Sequence, residues 1–239
     1  MTKVPESLGV PAARPVLDTP GSGTILGFPA AGAQAVAWWR RLRDAHPETG
    51  LWPLLIDEDT PARVAACPSE IPADDLPGGA EILAQRGEAR MCSYSDALAE
   101  EIRAERRGEG LWPTEPVRPG FRLAAGPSEV TVALVPAEAG WRVPEVLGYG
   151  GWNDYPDPAE HAAILRHWHG RYGAEPVAMT GDSVELSLAR PPRTRLDALA
   201  LAWEYRAYND GEYDFYFADT LTELAAALLD AEVLLARWE

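Results

Sequence analysis

Asp157-Pro158-Ala159-Glu160-His161 is reached through Val146-Leu147-Gly148-Tyr149-Gly150-Gly151-Trp152-Asn153-Asp154-Tyr155-Pro156 and followed by Trp168 and Arg171-Tyr172-Gly173-Ala174-Glu175. Asp157 is an N-cap residue type, Pro158 suits the first helical position, and Glu160 stands three residues past the cap, completing a capping box. His161, Ile164, Leu165, Trp168 and Tyr172 fall on one helical face, and Gly173 supplies the left-handed residue that ends such a helix. A helix over about 158–172 is therefore expected, with that face turned into a core.

Reading outward, residues 175–179 and 184–188 flank Thr180-Gly181-Asp182-Ser183 as a hairpin, with Val184, Leu186 and Leu188 inward and Glu185 and Ser187 outward. Thr194 with Asp197 opens the next helix, whose apolar face carries Leu196, Leu199 or Ala200, Trp203 and Ala207. Asn209-Asp210-Gly211 stops it. Residues 213–217 read as an aromatic strand, and Thr220 with Glu223 caps a last helix through Leu221, Leu224, Leu228 and Leu235. On the other side, residues 130–135 are a β-branched strand, and residues 140–151 return as a second extended segment. The expected fold class is α+β, with an antiparallel or mixed sheet of about four or five strands and helices packed on it, spanning residues 128–239.

The remainder divides in two. Residues 1–23 are rich in Pro, Ala and Gly and read as an extended lead-in outside the core. Residues 24–127 read as a smaller α/β region with Pro-rich loops: a strand at 24–29, a helix at 33–45 with Val36, Trp39 and Leu42 inward, and a buried strand at 51–56. Residues 57–87, punctuated by Pro61, Pro68, Pro72, Pro77 and Gly78-Gly79, read as loops with at most one helical turn. Ser95 caps a helix that runs to about Arg107.

Three elements of the central stretch resemble a bacterial family of domains of unknown function, DUF4253: Gly151-Trp152-Asn153, then Pro156-Asp157-Pro158-Ala159-Glu160, then Trp168-His169-Gly170-Arg171-Tyr172-Gly173-Ala174-Glu175. Glu204 and Tyr205 fit the helix that follows in that family. Its pattern also implies a Cys-Pro-Asp-like element near residues 208–210, where this chain has Tyr208-Asn209-Asp210. The resemblance covers roughly the C-terminal half and implies a domain without implying an activity.

Composition narrows the function. Lys and Arg total 21 against 37 Asp and Glu, a formal net charge of −16. A negative field of that size repels phosphate backbones and favours a basic protein partner, so no nucleic acid is expected. No apolar stretch has the length of a membrane span and no secretory leader is evident, which places the chain in the cytoplasm with no membrane partner. Cys67 and Cys92 belong to no Cys-x-x-Cys pair, and both read as small buried or half-buried hydrophobes.

His161, His167 and His169 share one helix, yet their spacing does not bring them to one ion, so no metal and no cofactor are expected. Nucleophile elbows and phosphate loops are missing. The candidate binding residues are Trp152, Asn153, Asp154 and His161, around a flexible Gly-Gly segment before a helix N-terminus, together with Glu204 and Tyr205. The leading expectation is an acidic protein-interaction module, immunity-like or regulatory. The alternative is a small enzyme or ligand-binding protein with a pocket near Trp152 and Glu204.

Overall fold

In the computed structural model, which describes residues 8–19, 23–64, 73–123, 129–152, 155–209 and 218–238, β1 (Arg14–Thr19) and β2 (Gly23–Ala31) form an opening antiparallel pair. Next come α1 (Ala33–Asp44), the short α2 (His46–Thr49), β3 (Leu51–Ile56), α3 (Thr60–Val64) and a 3₁₀ turn at Ala73–Asp75. α4 (Gly79–Ser93) and α5 (Asp96–Arg106) precede β4 (Glu129–Pro136), a second 3₁₀ turn at Gly140–Arg142 and α6 (Val143–Leu147). α7 (Pro158–Tyr172), β5 (Ala174–Met179), β6 (Ser183–Leu188), α8 (Arg195–Tyr208), α9 (Leu221–Leu228) and β7 (Val233–Arg237) follow.

Among the described residues, seven strands make one mixed sheet in the order β1-β2-β4-β3-β5-β6-β7. The class is α+β as expected, with more strands than the four or five read from the sequence. All neighbours are antiparallel except β3 and β5, which run parallel with Leu55 opposite Ala178. β3 and β5 are buried at every position, as central strands covered on both faces must be.

The seam between β3 and β5 is reinforced by side chains. β5 shifts register between Pro176 and Ala178, and the Pro176 carbonyl accepts two indole N–H groups, from Trp39 and Trp52, each at 3.0 Å. Arg43, in the last turn of α1, forks onto Glu175 through Nε and Nη2, both at 2.8 Å. Planar two-point pairing of this kind fixes orientation as well as distance. One continuous core therefore includes residues from both sides of the seam.

α7 forms as its sequence dictates. Asp157 and Glu160 make the reciprocal capping box, Pro158 occupies the first turn, and Gly173 closes the helix with φ 63. Ser95, Thr194 and Thr220 cap α5, α8 and α9.

Several expectations are corrected. Residues 140–151 do not return as a strand: the 3₁₀ turn and α6 occupy 140–147, with Val143 and Leu147 buried four residues apart and Gly148 ending the helix at φ 68. Their β-branched residues imitated a strand, while Pro144 sits in the first helical turn, where its missing N–H is harmless. Residues 57–87 are not mainly loop, because α4 starts at Gly79. A Cβ there would lie 2.2 Å from the Ala163 carbonyl oxygen, so this glycine permits close contact between α4 and α7 rather than a turn.

The expected helix over 221–235 stops at Leu228. After Asp230, at φ 61, the chain becomes β7, whose Val233, Leu234, Leu235 and Ala236 are buried beside β6. Glu185 does not face out: its carboxylate accepts the Arg122 and Leu123 N–H groups at 3.1 and 2.8 Å. The lead-in contributes β1, with Leu17 buried. Leu196 lies off the apolar face of α8, and Cys92 is exposed. The expected strand at 213–217 and Cys67 lie outside the described residues. Among the described residues no helix is long and apolar enough to cross a membrane.

Candidate functional site

α7 presents two flanks with different chemistry. On the inner flank His161 is fully buried, ringed by Tyr149, Tyr155, Tyr208 and Trp238 at centroid distances of 5.4, 6.5, 5.3 and 5.7 Å. Its Nδ1 is 2.7 Å from the Tyr208 hydroxyl, and its Nε2 has no hydrogen-bond partner. Burial, with a smaller push from the Arg86 charge, lowers the imidazole pKa to about 3. The ring is therefore neutral near pH 7 and cannot serve there as the charged half of an acid–base pair.

The Gly-Gly segment is shaped by this packing. At Gly150, φ is +113, and a Cβ would lie 2.3 Å from the Pro156 carbonyl oxygen and 2.6 Å from the His161 ring. Trp152 is half-buried, edge-on to Tyr149 at 5.2 Å and tilted over Tyr155 at 5.0 Å, and Trp238 stacks on Tyr155 at 4.5 Å. The Tyr149 and Tyr155 hydroxyls donate to the Thr180 and Gly181 carbonyls at 3.0 and 2.9 Å, anchoring the segment to the turn between β5 and β6. Burial pushes the Tyr155 hydroxyl up to about 12. Trp152 and His161 thus meet in one packed aromatic cluster. Asn153 and Asp154 lie outside the described residues.

Glu204 and Tyr205 diverge. Glu204 accepts the Trp168 indole N–H at 2.8 Å and Arg171 Nη1 at 3.1 Å, and pairs with His167 Nε2 at 3.2 Å. Tyr205 is buried in the core, and its hydroxyl accepts from Asn209 Nδ2 at 3.1 Å. Trp168 packs edge-on against Tyr208 at 5.0 Å, so buried rings lie between Glu204 and His161 along this route. The three histidines of α7 have separate partners: Tyr208 for His161, Glu204 for His167 and the Ala174 carbonyl for His169. Among the described residues no group of His, Cys, Asp or Glu is arranged to hold a metal ion.

The outer flank of α7 borders a cleft of about 560 Å³. Arg166, His167 and Arg171 form one wall, the start of α4 at Gly78, Gly79 and Ala80 another, and Asp74 and Trp141 complete the rim. The Arg142 and Arg166 guanidiniums lie 4.6 and 5.1 Å from the Trp141 ring centre. Both also pair with Asp74, the Arg166 contact being 3.2 Å. The hydrogen bond from Arg142, aided by the Arg142 and Arg166 charges, holds the Asp74 carboxyl below the usual carboxylate range. Sequence reasoning missed this site. The available signal was a second helical stripe, Ala163, Arg166, His167 and Gly170, spaced three and four residues apart beside the apolar one.

A third feature lies at the start of α8. Among the described residues the exposed large hydrophobics are Leu98 at 37%, Leu111 at 92%, Val117 at 58% and Leu196 at 68%. Leu111 and Val117 lie on a strap over residues 110–118, and Leu196 lies in the first turn of α8. Arg195 stacks on Trp112 at 4.7 Å, and Arg118 Nη1 reaches the Ala226 and Ala227 carbonyls at 3.4 and 3.3 Å. Gly110 seats the strap on α9, since a Cβ there would meet Thr222 Oγ1 at 1.9 Å. Leu111, Val117 and Leu196 therefore stand out from residues that are themselves fixed.

The C-terminal half of the chain, residues 131–239, matches the family model described as Domain of unknown function (DUF4253). The match begins within β4 and takes in α7, Glu204 and the aromatic cluster, as the resemblance of the Gly-Trp-Asn and Trp-x-x-Arg-Tyr-Gly-Ala-Glu elements implied. No curated protein and no solved structure matches the chain.

Proposed function

We propose that this protein is an acidic protein-interaction module of the cytoplasm, immunity-like or regulatory, and that it docks through the strap around Trp112 and the first turn of α8. The observation that carries this reading is the exposure of Leu111, Val117 and Leu196 around a half-buried tryptophan stacked under Arg195. Exposed large apolar groups beside an arginine-stacked tryptophan suit an interaction surface, since Trp and Arg are the residues that most often anchor one. The −16 charge favours a partner of net positive charge during approach, while the apolar strap supplies short-range affinity. His161, held neutral, and Glu204, bonded to three groups, are poorly suited to the acid–base role that the enzyme alternative would give them.

The test is capture from source-cell lysate with the full chain at low and high salt, using wild type and a Leu111→Asp/Leu196→Asp variant. A stoichiometric, salt-sensitive protein retained by the wild type and released by the variant is expected, with unchanged melting temperatures. Equal retention by both proteins would overturn the docking face, and the absence of any partner would overturn the module itself.

A further inference from the structure

The cleft beside α7 gathers basic side chains in an acidic molecule. Acidic residues outnumber basic ones in the chain, 37 to 21, yet Arg166, Arg171 and His167 line the cleft with Asp74 as the one lining carboxylate; Arg171 pairs with Glu204 and Asp197 and His167 with Glu204, while Arg166 pairs with Asp74. That carboxylate comes from a three-residue turn, its side chain is 53% exposed, and it is gripped by Arg142 and Arg166 beside the Trp141 ring. We propose that the cleft binds a small anion carrying a flat ring, of mononucleotide size, and that Asp74 occupies the anion's place when the ligand is absent.

Six observations support the assignment. The cavity, about 560 Å³, lies within the range of small-molecule sites. Two guanidiniums converging on one carboxylate are the arrangement by which arginine recognises carboxylates and phosphates. The Trp141 face now covered by Arg166 suits a stacked planar ring, which would free the guanidinium for the anion. Gly170 keeps the α7 wall low, since any side chain there would extend into open space. α4 contributes as well: it begins at this cleft without a side-chain cap, so its amino end favours negative charge. The Asp74–Arg166 pair is solvent-exposed at both ends, and exposed pairs of this kind exchange partners at small cost.

Isothermal titration of the full chain with adenosine 5′-monophosphate, adenosine and inorganic phosphate tests the proposal. The monophosphate is expected to bind more tightly than either of the others. Asp74→Asn should tighten it by roughly three- to tenfold by removing the internal competitor, and Arg166→Ala should weaken it by about tenfold or more by removing a charge-assisted contact. Trp141→Leu should remove the preference for the monophosphate over phosphate. Circular dichroism and the melting temperature confirm folding of each variant. The assignment is overturned if neither wild type nor Asp74→Asn binds the monophosphate or phosphate at millimolar concentration. It also fails if Arg166→Ala binds as tightly as wild type, or if Asp74→Asn binds no more tightly.

Discussion

The inner and outer flanks of α7 each carry a histidine and use it in opposite ways. Inside, His161 and Trp168 are fully buried: His161 Nδ1 meets the buried Tyr208 hydroxyl, His161 Nε2 has no partner, Trp168 Nε1 donates to the partly buried Glu204, and the imidazole is held neutral. Outside, His167 and Arg171 keep partial contact with solvent, share Glu204 and border a cleft. Between them Glu204 belongs to both, binding the Trp168 indole from one side and the two cations from the other. Residue chemistry alone does not distinguish a site from a core. The rotation of a residue about its helix does, and one step along the sequence turns about 100°.

The largest effect expected from breaking this division is on the inner flank. Trp168→Ala should cost about 3–5 kcal/mol in urea unfolding, because a fully buried indole leaves a cavity that its neighbours fill only in part. A loss under about 1 kcal/mol would mean that the aromatic cluster is not a structural core. His161 gives the next effect, and its sign follows from linkage. Above about pH 6.5 the imidazole is neutral in both states and contributes no pH dependence. As pH falls below that value the unfolded chain takes up a proton that the folded chain, with its imidazole pKa near 3, does not bind. Stability is therefore lost towards acid at up to about 1.4 kcal/mol per pH unit, until the folded imidazole also protonates. Between pH 7 and pH 4, wild type should lose about 2–3 kcal/mol more than His161→Phe, measured by urea midpoints at the two values. Equal losses would place His161 in contact with solvent and return it to the list of possible acid–base groups.

The parts of the fold written in local chemistry were legible. α7 was legible because Asp157, Pro158, Glu160 and Gly173 each specify a helix end, and the β5–β6 hairpin because its apolar residues alternate. The parts decided by distant contacts were not. Gly79 looks like a turn residue until Ala163 is seen against it, and residues 233–237 continue a helical Leu pattern until β6 offers them a ladder. Val143 and Val146 favour strand by propensity, but Pro144 and Gly148 close them into α6. For the site, sequence placed Trp152 and His161 near one another but could not show that the space between them is filled by Tyr149 and Tyr155. Asp74, Trp141 and Arg166 come from three separate segments, and no short pattern links them.

Glu204 offers a finer test because it touches both flanks. In Glu204→Gln an amide oxygen can still accept the Trp168 indole, but the charge facing Arg171 is gone, so a loss of about 1 kcal/mol is expected in thermal unfolding. A gain in stability would point the other way, to a carboxylate kept for function at a cost to folding. The smallest effect belongs to His167, the outer counterpart of His161. Its pairing with Glu204 is partly exposed, and glutamine can still donate to that carboxylate, so His167→Gln should shift stability at pH 7 by no more than about 0.5 kcal/mol. His161 and His167 are the same residue type on one helix, six residues apart. If His167→Gln proved as costly as a core substitution, the outer flank would be structural too, and the cleft beside it would be a by-product of packing rather than a site.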